Sequence, residues 1–260
     1  MTDTSRAPFV PFIGAKLKVL RADRHIKELE ATLESVLHSD FCSLVADRDS
    51  DSGQPLPKLV TKGPMPAAIP LMIGDVIHNL RTSLDYFWNE IIRATTGEER
   101  RETFPFHEEL ANLKDRVFKS PLGAVADDIA NLIIEDIKPY KAGNFPLWAL
   151  TKLDNIDKHR LLIPVFGISS VYNIRGIDDN DNVVFIREVS ARQGGDFNIV
   201  RFAADFKFDA DPKASFTVLF DEGQVFGHKQ LVPNLRALSN NVSGVIHAFE
   251  ALGCIAEPSP

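Results

Sequence analysis

Apolar side chains recur at three- and four-residue steps over residues 15–38, at Leu17, Leu20, Ile26, Leu29, Leu33 and Val36, with Lys, Arg and Glu between them. That spacing predicts a first amphipathic helix. The period changes over residues 41–63, where two short runs rich in apolar residues, 41–45 and 58–61, flank a stretch of Asp, Ser, Gly and Pro. A small β-hairpin with a long turn is expected there. Pro64, Pro66 and Pro70 then interrupt regular structure ahead of a long helix over about residues 71–95. On that helix Ile73, Val76, Ile77, Leu80, Leu84, Phe87 and Ile91 share one stripe, while Asp75, His78, Arg81, Thr82 and Asp85 gather opposite.

Gly97 closes the long helix, and Thr103-Phe104-Pro105-Phe106 reads as an extended crossing into two weaker helices near 107–119 and 122–138. A further helix is expected over residues 147–161, ending ahead of Pro164. Beyond it, β-branched and aromatic runs at 165–177, 182–190, 197–207 and 215–221 are separated by Asp, Asn and Gly clusters, the pattern of an antiparallel meander. A last helix over 232–252 presents Leu235, Leu238, Val242, Val245, Ile246 and Phe249 on one side. Such a stripe needs cover, so the helix is expected to pack back on the bundle or the sheet.

The fold class is therefore α+β: a helical bundle with a small N-terminal β-hairpin, an antiparallel β-meander and a C-terminal helix. The expected division is a bundle over 1–162, with the hairpin inserted at 41–63, followed over 163–260 by the sheet and a last helix that packs back on the bundle; the alternative is one continuous domain.

Composition narrows the function classes. The 29 basic and 36 acidic residues give a net charge of -7, which argues against a protein whose main task is to coat nucleic acid or anionic lipid. Cys42 and Cys254 sit at opposite ends, far from a disulfide framework or a C-x-x-C site, so a reducing, cytoplasmic setting is expected. No signal-peptide pattern opens the chain, and no apolar run approaches the roughly 18 residues of a membrane helix. Phosphate loops, nucleophile elbows, zincin spacings and calcium-loop spacings are missing too, so no metal or cofactor is expected. The Phe residues of the β region, among them Phe197, Phe202, Phe206, Phe208, Phe216, Phe220 and Phe226, read as sheet core rather than as a stacking platform.

The candidate chemistry lies on two helices. His78, Arg81 and Asp85 are spaced i, i+3, i+7 and project from one side of the long helix. On the 147–161 helix, Asp154 and Asp157 fall beside Leu147, Leu150 and Leu161 on the core-facing side, with Asn155, Lys158 and His159 pointing elsewhere. Two carboxylates on an apolar face need cations or donors opposite them, and Arg81, His78 and Arg160 are the candidates. Two readings stay open. The cluster is a fixed polar network, or it is a site in which His78 or His159 moves a proton and Arg81 or Arg160 holds an anionic group.

The string Gly-Asp-x-x-His-Asn-Leu-Arg-x-x-Leu-Asp at 74–85, a following Phe-Pro segment and Ile-Asp-Lys-His-Arg at 156–160 resemble a widespread set of uncharacterised bacterial proteins, and residues 21–25 share the likeness. Many of those proteins carry His at the position of Tyr86, which makes an Arg-x4-His pattern similar to that of HEPN-type helical ribonucleases and nucleotide-binding domains. The resemblance implies RNA or a nucleotide as ligand, a homodimer, and metal-independent chemistry in which Arg81 stabilises charge at phosphorus. Tyr86 departs from the pattern. A phenol is a poor base at neutral pH, so His78 or His159 would have to replace the missing imidazole.

Overall fold

A computed structural model describes residues 10–48, 53, 55–122, 126–177, 183–190, 207–208, 213–221, 225–227 and 229–253. Its elements run α1 (Ile13–His38), β1 (Cys42–Arg48), β2 (Pro55–Thr61), α2 (Ala68–Thr96), α3 (Leu110–Lys119), α4 (Asp127–Asn131), a π-helical turn (Leu132–Ile137), α5 (Phe145–Asp157), β3 (Pro164–Ile177), β4 (Val183–Ser190), β5 (Lys207–Phe208), β6 (Lys213–Phe220) and α6 (Leu231–Ala251). The fold is α+β, with a helical bundle, a β-hairpin, an antiparallel sheet and a C-terminal helix. Among the described residues no helix is long and apolar enough to cross a membrane.

Two compact units are built from separate chain segments: Met1–Lys27, Met72–Leu161 and Leu235–Pro260 form one, and Glu28–Leu71 and Leu162–Asn234 the other. The first unit is helical and contains all the candidate site residues. At its centre is the Phe87 ring, 4.8 Å from the Phe12 ring and 4.7 Å from that of Phe249, both edge-on. Edge-to-face pairs add to the burial of each ring because the positive edge meets the negative face.

The second unit holds the β structure. β1 and β2 form an antiparallel hairpin, and β3 is the middle strand of the sheet. β4 pairs with its later half, β6 with its earlier half and β5 with its last residues, all antiparallel. A register shift between Ile168 and Ser170 marks a bulge. Phe220 and Phe226 are buried with ring centroids 5.0 Å apart, and Phe216 is half-buried. Phe197, Phe202, Phe206 and the acidic turn 178–181 lie outside the described residues.

Three local departures from the sequence reading have physical causes. On α1 the buried stripe is Phe12, Ala15, Val19, Ala22, Ile26, Leu29 and Leu33, whereas Leu17 and Leu20 are 56% and 62% exposed. Strict alternation of three- and four-residue steps selects that stripe by angular position, so the small Ala15 and Ala22 belong to it and the larger Leu17 and Leu20 do not. α2 starts at Ala68 and includes Pro70, which costs nothing in a first turn whose N–H groups lack intrahelical partners. The expected 122–138 helix reduces to α4 and the π-helical turn, which stops where Lys138 adopts left-handed backbone, φ 53°.

Candidate functional site

The site is assembled around α2, α5 and the extended Phe-Pro segment, all in the helical unit. Asn89 fixes the segment to α2, donating from Nδ2 to the Glu102 carbonyl at 2.7 Å and accepting the Glu102 N–H at Oδ1 at 2.8 Å. Asp85 adds a second tie, its Oδ1 accepting the Phe104 N–H at 2.8 Å. Phe104 packs into the core against Phe87 and Trp88, while the Phe106 ring lies under Arg81, 4.7 Å from the guanidinium carbon to the ring centroid. That arrangement satisfies Arg81 on one face by cation–π contact.

Arg81 is held at its edge as well. Its Nη1 donates to Asp85 Oδ1 at 2.5 Å, a pair one helical turn apart. The Arg81 side chain is 10% exposed, and among the described residues Nη1 is its one engaged donor nitrogen. A guanidinium carries five N–H donors, so this buried cation keeps hydrogen-bonding capacity in reserve.

α5 is set by its N-cap. The Asn144 side chain accepts the Leu147 N–H at 3.2 Å, with Pro146 in the first turn, so the helix begins two residues earlier than expected. It ends at Asp157 instead of 161, which leaves Leu161 exposed at 46% and off the core-facing side where it was expected. Asp154 is buried there, as its place beside Leu147 and Leu150 implied, and its carboxylate divides between two partners. Oδ1 lies 3.3 Å from His78 Nδ1 and Oδ2 2.6 Å from Lys158 Nζ. His78 Nε2 stands 3.4 Å from Thr82 Oγ1.

Asp157 sits against α2 at Gly74, where a β-carbon would come within 2.6 Å of either carboxylate oxygen. Burial pushes its carboxyl above the ordinary aspartate range, and the charges of Asp154 and Asp75 add to that rise while His78 opposes it. α2 and α5 therefore meet through Gly74, His78, Asp154 and Asp157. Arg81 does not join Asp154 and Asp157 in an ion pair as expected; the nearer Asp85 on its own helix takes that place. Lys158 turns back to Asp154, whereas His159 and Arg160 are exposed beyond the end of α5.

Arg81, Asp85, Asp154 and Lys158 line one pocket of about 280 Å3, with Thr103, Phe104, Phe106, Arg116, Thr151 and Asn155. Three cations face two carboxylates in it. Arg116 is placed by Thr103, whose Oγ1 accepts from its Nη2 at 2.6 Å. Arg116, Phe106 and Thr151 escaped the sequence reading. Arg116 lies on the short α3, and its one signal was position beside the extended Phe-Pro segment. His78, His159 and Arg160 are not among the residues lining the pocket. Among the described residues, no group of three or more His, Cys, Asp and Glu side chains is placed to hold a metal ion.

Comparison of the chain with protein-family models, with curated proteins and with solved structures found no match.

Proposed function

We propose that the chain is an intracellular bacterial binding or regulatory module whose helical unit recognises an anionic group in the pocket beside Arg81. The observation that carries this reading is the convergence of Arg81, Arg116 and Lys158 on one small pocket, with Arg81 nine-tenths buried and holding donors in reserve. A fixed guanidinium fork backed by an aromatic ring suits the oxygens of a phosphate or carboxylate. Because the whole chain carries a charge of -7, such an anion is attracted by local geometry rather than by the field of the molecule. The two well-separated cysteines and the likeness of the 74–85 and 156–160 strings to bacterial proteins support the intracellular bacterial setting.

Titration of the full chain with sulfate and with inorganic phosphate, followed by calorimetry, tests the reading. Binding is expected in the wild type, weakened about tenfold by either Arg116→Ala or Lys158→Ala, the loss of one charge-assisted hydrogen bond. No binding by the wild type overturns it.

A second reading, a metal-independent HEPN-type ribonuclease, is favoured by one feature. Asp154 holds the Nδ1 edge of an exposed His78 one turn before Arg81, the arrangement of an oriented base beside a charge-stabilising guanidinium. His159, exposed beyond α5, is the alternative base. Incubation with total RNA, with and without chelator, decides it: cleavage that survives chelator and is lost in His78→Ala supports the ribonuclease, and intact RNA discards it.

A further inference from the structure

We propose that Asp154 couples the pocket to His78, so that an anion drawing Lys158 away from Asp154 makes His78 take up a proton in its place. The inference rests on the reading of the pocket as an anion site. The Asp154 side chain is 4% exposed, so its charge is answered by neighbours and hardly at all by water. Those neighbours stand on opposite sides of one carboxylate, Lys158 at Oδ2 and His78 at Oδ1. Lys158 is 54% exposed, follows the last turn of α5 and lines the pocket, so its ammonium has room to turn toward a bound anion.

When the ammonium leaves, a buried carboxylate is left with an imidazole alone, and an imidazolium answers it far better than the neutral ring does. His78 is 59% exposed, so water supplies the proton directly. Three carboxylates favour the charged ring: Asp154 and Asp157 face it from α5, and Asp75 precedes it by one turn on α2. Arg81 follows it by one turn and opposes that charge, but is itself answered by Asp85, and Thr82 Oγ1 is neutral. Lys158 is the cation on that side of the cluster, so its departure and the arrival of an anion both favour protonation of the ring. Coupling is reciprocal: anion binding takes up protons, and lower pH tightens the anion.

Sulfate is the probe, because it keeps its charge throughout the neutral range. It is titrated into the full chain in buffers of different ionisation enthalpy at about pH 6, 7 and 8, the span over which histidines change charge. A fraction of a proton is expected to enter with each sulfate, and the affinity to weaken, by less than about tenfold, for each unit by which the pH is raised. In His78→Gln both effects vanish, and the affinity at the highest pH is kept. The ring signals of His78 in the wild type move toward the protonated position on adding sulfate, a readout that needs no variant. Sulfate binding without proton uptake, or uptake that persists in His78→Gln, overturns the coupling and leaves the anion site standing. Absence of sulfate binding at every pH overturns the site and the coupling with it.

Discussion

Gly74 leaves the space that the Asp157 carboxylate occupies: a β-carbon on α2 at that position would come within 2.6 Å of both oxygens. The contact joins the first residue of one sequence string to the acidic residue of the other, and it explains a glycine in the body of a long helix, where glycine costs about 0.5–1 kcal/mol relative to alanine.

Gly74→Ala is expected to forgo its helix-propensity gain, because Asp157 must swing aside to admit the methyl group. In an Asp157→Ala background the same substitution should stabilise by about 0.5–1 kcal/mol. Chemical denaturation of the four proteins in this cycle measures the coupling. Additive effects would show that the carboxylate does not occupy that space in solution.

Asp157 also predicts a pH dependence. Its folded carboxyl binds protons more tightly than an unfolded aspartate, through burial first and then through the Asp154 charge. Between the unfolded aspartate value, about 3.9, and the higher folded one, the native state therefore holds the extra proton and stability falls as pH rises. Asp157→Asn removes that loss. Its melting temperature should exceed that of the wild type at neutral pH and converge with it as the pH falls below about 3.9, where the carboxyl becomes protonated in the unfolded state as well as in the folded one. Melting curves across this range check the sign.

Asp85→Ala leaves the buried Arg81 without its carboxylate and the Phe104 N–H without its acceptor. The expected cost is about 2–4 kcal/mol, with Asp85→Asn intermediate because its amide oxygen still accepts from Phe104. Urea midpoints at constant slope would report it. A loss within error for Asp85→Ala would mean that the Phe-Pro segment is not anchored there.

Thr151 lines the pocket, but its hydroxyl is turned inward and has no hydrogen-bond partner among the described residues. A buried hydroxyl without a partner costs about 1–3 kcal/mol, so Thr151→Val is expected to raise the melting temperature while leaving sulfate affinity unchanged. Thermal melts and a sulfate titration of the same variant test both halves. A lower melting temperature would show that the hydroxyl is in fact paired.

Much of this architecture was legible because it depends on local period. The α2 stripe from Ile73 to Ile91 is buried throughout, and the polar side opposite carries the candidate residues. Where the reading slipped, a local rule met a choice it does not contain. On α1, apolar size pointed to Leu17 and Leu20, but packing follows angular position and takes Ala15 and Ala22. At the end of α5, the apolar Leu161 extended the pattern past the point where residues 158–160 turn away.

Partner choice was the least legible part. Spacing alone indicated that Asp154 would be buried and that a cation would meet it, with Arg81 and His78 of α2 as the natural candidates and Arg160 as a local one. The contact of α2 with α5 brings His78, whereas Lys158 meets Asp154 at the i, i+4 spacing of the end of α5 itself. Arg81 had a carboxylate one turn away on its own helix, so it needed none from α5.

By itself the order of residues determined the α+β class, the amphipathic faces and the two helices that carry ionisable groups, because burying apolar area imposes a period that neighbours in the chain already display. The tertiary structure decided which charges meet and where a pocket opens. Ion pairs form between groups that packing brings within a few ångströms: His78 of α2 reaches Asp154 of α5, and Phe106 and Arg116 reach the pocket beside Arg81 through the path of the chain rather than through spacing along one helix.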